Sequence, residues 1–384
     1  MCEKLFTPAW LLAGAIIGAG IFALPFVFEK AGTLTGLIYL AVFGFVFVLL
    51  HLMYADIIAK TDLSDGILAN TESKHYFSGY AKIYFGKFGF WLAVFSSVFG
   101  LFLTLIAYLA LSSSFFNLIF PGGFSALNVI VFWFLGSAAI FLEIRKMSFL
   151  ELFITSGVIF ISILIFVFGV AGFDKIISMP VFNLKNFFLP YGVILFALSG
   201  RVAIPAVINY FKKTNQPVSG AGKSIILGTL IPALVYVLFI FGVLGLSRVV
   251  SEDAVSGLVG VASPFVLSLI GIFALVSLWD SYFIVGMDVK NSLRCDLKFP
   301  KIIAGVAVVV LPVFFYFFGL RKFLELAGLI GGVFIAFEGA FICLMWLKSL
   351  KRKTGRVFLK NLSPVFAYIL ILVFIGGLVY ELIY

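Results

Sequence analysis

The sequence predicts an all-α integral membrane protein with about eleven membrane-crossing helices, and three observations carry that prediction. Of its 384 residues, 63% are hydrophobic and 11% charged, a balance that would leave a water-soluble domain covered in apolar side chains. The apolar residues come in long continuous runs, as at 158–170 and 302–318, and not in the short alternating segments of a membrane β-barrel. The basic residues crowd into every second connection between those runs.

A hydrocarbon core of roughly 30 Å takes about 20 apolar residues per helix. The first run, 7–28, follows Lys4; its basic start and small residues also suit a cleaved leader, but it continues too far and the topology uses it. Lys30 separates it from the second span, 34–59. Lys60, Lys74, Lys82 and Lys87 lead to the third, 90–111, and the fourth, 127–142, follows without an intervening base. Arg145 and Lys146 precede the fifth, 149–171, and Lys175 and Lys185 precede the sixth, 188–211. Lys212, Lys213 and Lys223 lead to the seventh, 224–246, and Arg248 to the eighth, 263–287. Lys290, Arg294, Lys298 and Lys301 open the ninth, 302–318, and Arg321 and Lys322 the tenth, 323–347. The basic run from Lys348 to Lys360 precedes the last span, 364–383, and suits anionic lipid. Counting Lys4 with the alternate set gives twenty bases against six, with Arg201 left inside a span. The N-terminus is therefore expected in the cytoplasm and the C-terminus outside, in a plasma membrane. Cys2, Cys295 and Cys343 then lie toward the reducing side, so no structural disulfide is expected.

Spans one and six share an interruption: Gly20 is followed five residues later by Pro25, and Gly200 five residues later by Pro205. Glycine weakens the helix, and proline lacks a donor and clashes with the preceding turn, so both spans should break near mid-membrane. Unpaired backbone groups persist there only against protein or a polar cavity, so matched breaks in two halves of a chain point to a transport site. Five spans separate the breaks, an odd number, which makes the halves inverted repeats: 7–171 and 188–347, with 364–383 as an extra helix.

Residues 17–25, Ile-Gly-Ala-Gly-Ile-Phe-Ala-Leu-Pro, resemble the first-helix signature of the amino acid and auxin permeases and the aromatic amino acid permeases, within the amino acid, polyamine and organocation superfamily. Residues 189–206 are similar to the family's sixth-helix pattern, and a looser likeness runs over 7–347 through the stretches 80–86 and 231–236. The resemblance implies a LeuT-type fold of five-plus-five inverted repeats and uptake of amino acids, driven in many members by protons and in some by sodium.

On this reading the backbone of an amino acid sits at the two breaks. Amides near Gly20 and Ile21, at the positive end of a helix, suit its carboxylate, and carbonyls from Ala15 through Ile17 and Gly18, beside Ala19, and from Leu198, Ser199 and Gly200 suit its ammonium group. Arg201 at the second break costs at least ~2.5 kcal/mol at that depth unless it is compensated. Counting ~1.5 Å per residue puts Asp280 and Glu338 at its level. The resemblance, which sets helix eight against helices one and six, favours Asp280 as the partner, either as a structural ion pair or as a proton-coupling one. Glu338 has a second reading, in which it reaches for the headgroups. Tyr108 on span three is expected to help close the outer gate. Sodium-coupled relatives place two adjacent hydroxyl residues on helix eight, whereas here Ser277 is followed by Leu278, which favours protons over sodium; Ser281, one turn on, can still line the site.

His51 and His75 have no ligand-spaced partner, and there is no Gly-Lys-Ser/Thr phosphate loop, so metal cofactors and ATP are not expected. A membrane enzyme would need a catalytic constellation, and Arg201, Asp280 and Glu338 without a nucleophile make a poor one. The expected function is proton-coupled secondary transport of neutral or aromatic amino acids, with a sodium-coupled symporter or a transporter-like nutrient receptor as alternatives. The expected partners are the amino acid and the lipid bilayer, with no nucleic acid and no obligate protein.

Overall fold

The computed structural model describes residues 2–64, 77–143, 148–351 and 357–383; Lys74, His75, Arg145, Lys146, Arg352, Lys353 and Arg356, used above in reading the loops, lie outside them. Among the described residues ten helices are long and apolar enough to cross a membrane, and the pair Leu5–Ile16 and Ala19–Ala31, bent by 49°, makes an eleventh span.

The first half comprises α1 (Cys2–Ile16), α2 (Leu24–Ala31), α3 (Thr33–Ser64), α4 (Phe77–Ile119), α5 (Ser125–Leu142) and α6 (Ser148–Gly169). Span three starts earlier than its hydropathy suggests. The Tyr80-to-Gly86 stretch is already helical, and Gly86, at φ +65°, turns the chain in a conformation that a side chain would resist. A short α7 (Phe173–Ile177) leads to the second half: α8 (Leu189–Leu198), α9 (Ile204–Lys213), α10 (Ala221–Leu246), α11 (Pro264–Cys295), α12 (Lys301–Phe318), α13 (Phe323–Leu329) and α14 (Ala336–Ser349). The last helix, α15 (Pro364–Ile383), packs along α14.

Burial sorts these helices. The sixth span is 78% buried, while the last is 17% buried and turns Phe366, Leu372 and Val379 outward, as a helix facing lipid must. Helix six is thus central and α15 peripheral. Between α13 and α14 the helix widens into a π stretch, Ile330–Ile335. There Gly331 lies so close to Gly192 that an added Cβ would fall 1.7 Å from its carbonyl oxygen. Only a bare backbone allows this crossing with α8, and π stretches of this kind are frequent at functional sites.

Candidate functional site

Both breaks follow one plan. Helix α1 ends at Ile16, the chain leaves helical geometry at Gly18 (φ −123°, ψ −148°), a 3-10 turn spans Ala19–Ala23, and α2 begins with Pro25 in its first turn. Helix α8 ends at Leu198, Ser199 (φ −69°, ψ 118°) and Gly200 (φ −135°, ψ 13°) are non-helical, a 3-10 turn spans Arg201–Ala203, and α9 begins with Pro205 in its first turn. Proline is tolerated in a first turn because no intrahelical donor is needed there.

The breaks also pack into each other. A Cβ on Gly20 would lie 2.4 Å from Cα of Ala197, in the last turn of α8, and one on Gly200 would lie 2.5 Å from Cγ1 of Ile16, in the last turn of α1. The fully buried Tyr236 of α10 closes this crossing. Its hydroxyl sits 2.8 Å from the Ile16 carbonyl oxygen, which also accepts from the Gly18 amide, and 2.7 Å from that of Ala197, donating its one proton between carbonyls at the ends of the two broken helices.

Between the breaks lies a cavity with about 100 Å³ open to water-sized molecules. One end holds Ala15, Gly18, Ala19 and Gly20, with Tyr108 and Ser281 beside Gly18; the other end holds Ser199, Gly200, Arg201, Ser97 and Glu338. At that second end Arg201 forks onto Glu338, Nε to Oε2 at 2.7 Å and Nη2 to Oε1 at 3.1 Å. Ser97 accepts from Nη2 at 2.7 Å and donates to Oε1 at 3.0 Å, closing a triangle. Phe77 covers the guanidinium, with its ring centroid 4.5 Å from Cζ. Arg201 is 9% and Glu338 7% exposed, so an ion pair taken this far from water stands because its geometry is two-pronged and Ser97 bridges it.

Of the residues singled out from sequence, Gly18, Ala19, Gly20, Ser199, Gly200, Arg201, Tyr108, Ser281 and Glu338 line this cavity. The side chains of Ile17, Ile21 and Leu198 belong to the hydrophobic core, leaving only their backbone for the site. Ser277 is buried on α11 outside the lining, and Asp280 is half-buried within electrostatic reach of Tyr108. The expected pairing of Arg201 with Asp280 is corrected: the partner is Glu338, which is buried and does not reach for headgroups. Depth along a helix was legible from residue counts, but rotation about its axis was not, and the π stretch resets that rotation just before α14. Sequence reading missed Tyr236, which stands in the 231–236 stretch of family likeness, and Ser97. The signal for Ser97 was present: Ser97, Gly100 and Thr104 recur at helical spacing on one face of an apolar span.

A family model for tryptophan/tyrosine permeases matches residues 1–383. Glutamine transporter 2 of Aliivibrio fischeri is 24% identical over 377 residues, covering 94% of this chain and 92% of its own. Among solved structures, MhsT in complex with L-phenylalanine superposes with a TM-score of 0.67 at 14% identity, covering 98% of this chain and 97% of MhsT. Mhp1, a nucleobase-cation-symport-1 family transporter in a closed conformation with bromovinylhydantoin bound, gives 0.63 at 15%, covering 98% and 90%. The fold is therefore that of the five-plus-five inverted-repeat transporters with a broken first helix. The expectation of a proton as coupling ion is corrected and withdrawn: Mhp1, which shares this fold, belongs by name to a cation-symport family. Fold, paired breaks and the match along the whole chain agree, and this protein belongs to the tryptophan/tyrosine permease family, a secondary-active amino acid transporter and not an enzyme.

Proposed function

We propose that this permease is a sodium-driven symporter for amino acids with uncharged side chains, aromatic ones included. One observation carries the reading: a single cavity is walled at one end by the small residues of the first break and at the other by the second break with its buried fork. The substrate carboxylate is held by amides at the start of the Ala19–Ala23 turn, and its ammonium group by carbonyls around Ile17 and Leu198. Repeats 7–171 and 188–347 alternate access around it, with the N-terminus in the cytoplasm and the C-terminus outside the plasma membrane.

Sodium is a hard cation that takes oxygen ligands, and unwound carbonyls serve it in transporters of this build. The oxygen pair on helix eight that suits it is Asp280 and Ser281, one turn beyond Ser277 and Leu278. The Ser281 hydroxyl lies 3.1 Å from where a Cβ on Gly18 would stand, against the first break. The family description and the glutamine and phenylalanine relatives support an uncharged amino acid as cargo.

Uptake of radiolabelled tryptophan, tyrosine, phenylalanine and glutamine into proteoliposomes, under an inward sodium gradient and without one, tests this directly. Accumulation that requires the sodium gradient and is lost in Asp280→Asn is expected. Equal uptake with and without sodium contradicts the coupling, and sodium-dependent binding without uptake contradicts transport and indicates a receptor.

A further inference from the structure

The fork leaves an acceptor position open on Glu338. An ionised carboxylate has about four lone-pair positions. Among the described residues Oε1 of Glu338 accepts from both Ser97 and Nη2 of Arg201, while Oε2 accepts only from Nε. Three of the five guanidinium N–H groups, on Nε and Nη2, are spent on Glu338 and Ser97, the Ser97 proton is spent on Glu338, and Phe77 covers the guanidinium. The rest of the cavity wall is mostly apolar, with Leu101, Ile284, Val285, Phe334 and Ile335 beside the hydroxyls of Ser96 and Thr104.

We propose that Glu338 is a specificity-determining residue whose open Oε2 lone pair accepts a hydrogen bond from an N–H or O–H at the far end of the substrate side chain, while the apolar wall holds that side chain's body. The proposal rests on the transport reading above and names its cargo by chemistry: an apolar stem or ring tipped by one donor, as in an indole, a phenol or a carboxamide. A charge-assisted bond of this kind, at a carboxylate only 7% exposed, disfavours the isostere that lacks the donor, because the carboxylate position facing it then loses its partner. A side-chain carboxylate would meet Glu338 acceptor to acceptor and be excluded.

Competition binding to the purified protein in sodium, with three matched pairs, tests this: tyrosine against phenylalanine, tryptophan against 1-methyltryptophan, and glutamine against methionine. In the pair the protein binds best, the donor-bearing member is expected to win by about tenfold or more. Equal binding within every pair overturns the proposal alone, whereas no binding by any of the six compounds defeats the transport reading and this proposal with it. Glu338→Asp keeps the charge that Arg201 needs but draws the carboxylate back by one methylene; it is expected to bring the ratio toward one while phenylalanine still binds. An unchanged ratio in a folded Glu338→Asp protein overturns the assignment, and should that variant not fold, the wild-type ratios decide.

Discussion

The two breaks share a plan and differ in what they show the cavity. The first lines it with small residues, Ala15, Gly18, Ala19 and Gly20, whereas the second adds an arginine bound to a glutamate on another helix. Backbone polar groups read what all amino acids have in common, their carboxylate and ammonium groups; side chains such as Arg201, Ser97 and Glu338 can read what distinguishes them. An inverted repeat thus supplies two similar frames, and on the proposed reading the side chains of the second add selection to general recognition.

The largest effect should come from breaking the charged frame. Arg201→Ala strands Glu338 in a site closed to bulk water and is expected to cost about 3–5 kcal/mol, read as a fall in thermal stability in detergent. The double variant Arg201→Met with Glu338→Leu should recover most of it, since an apolar pair of similar volume is often no less stable. Loss of stability in the double variant equal to the single one would mean that the fork matters for more than its own compensation.

The backbone frame should break next. Gly20→Ala places a methyl against the backbone of Ala197, whereas Gly200→Ala meets the side chain of Ile16, which has more freedom to move. Overpacking of this kind costs about 1–3 kcal/mol, and Gly20→Ala is expected to be the worse of the two in both stability and uptake. The reverse order would show that the first break is the more yielding one. Tyr236→Phe keeps the ring and removes the hydroxyl between Ile16 and Ala197. A loss of about 1 kcal/mol with a larger fall in uptake than in expression is expected, because two carbonyls lose a donor at the point where the breaks cross.

How far this was legible in the sequence follows from the same contrast. Hydropathy runs, alternate basic connections and the Gly-to-Pro spacing fixed the spans and both breaks, because each reports on the chain itself. The partner of Arg201 is a relation between helices. Residue counting put Asp280 and Glu338 at similar depths, and only the packing of the helices shows that Glu338 meets the guanidinium. The Gly331-Gly332 pair in the π stretch at Ile330–Ile335 does not announce a widened turn. Tyr236 was one of 14 tyrosines in an apolar chain, with nothing local to mark the two carbonyls it would meet.

The smallest effect serves as a reference far from either break. Glu143, just past α5, is held by Lys301 at 3.0 Å and Lys290 at 3.1 Å, and those hydrogen bonds hold its carboxyl below the usual carboxylate range. A depressed folded value means that its contribution is complete above the unfolded pKa of about 4.3 and is lost as pH falls through the folded one. Glu143→Gln should therefore lower stability slightly and evenly from about pH 5 to 8, with the difference shrinking as pH falls below that range and gone only below the depressed folded value. Uptake per folded molecule should not change, in contrast to every substitution at the breaks.

The position of a bound amino acid tests the account most directly. In an experimental structure determined in sodium with tyrosine or tryptophan, the account predicts density spanning the cavity, with the carboxylate at the amides of Gly20 and Ile21 and the side-chain donor within hydrogen-bond distance of Glu338. Density that lies outside the two breaks, or a carboxylate bound at Arg201 with the fork opened, would contradict it.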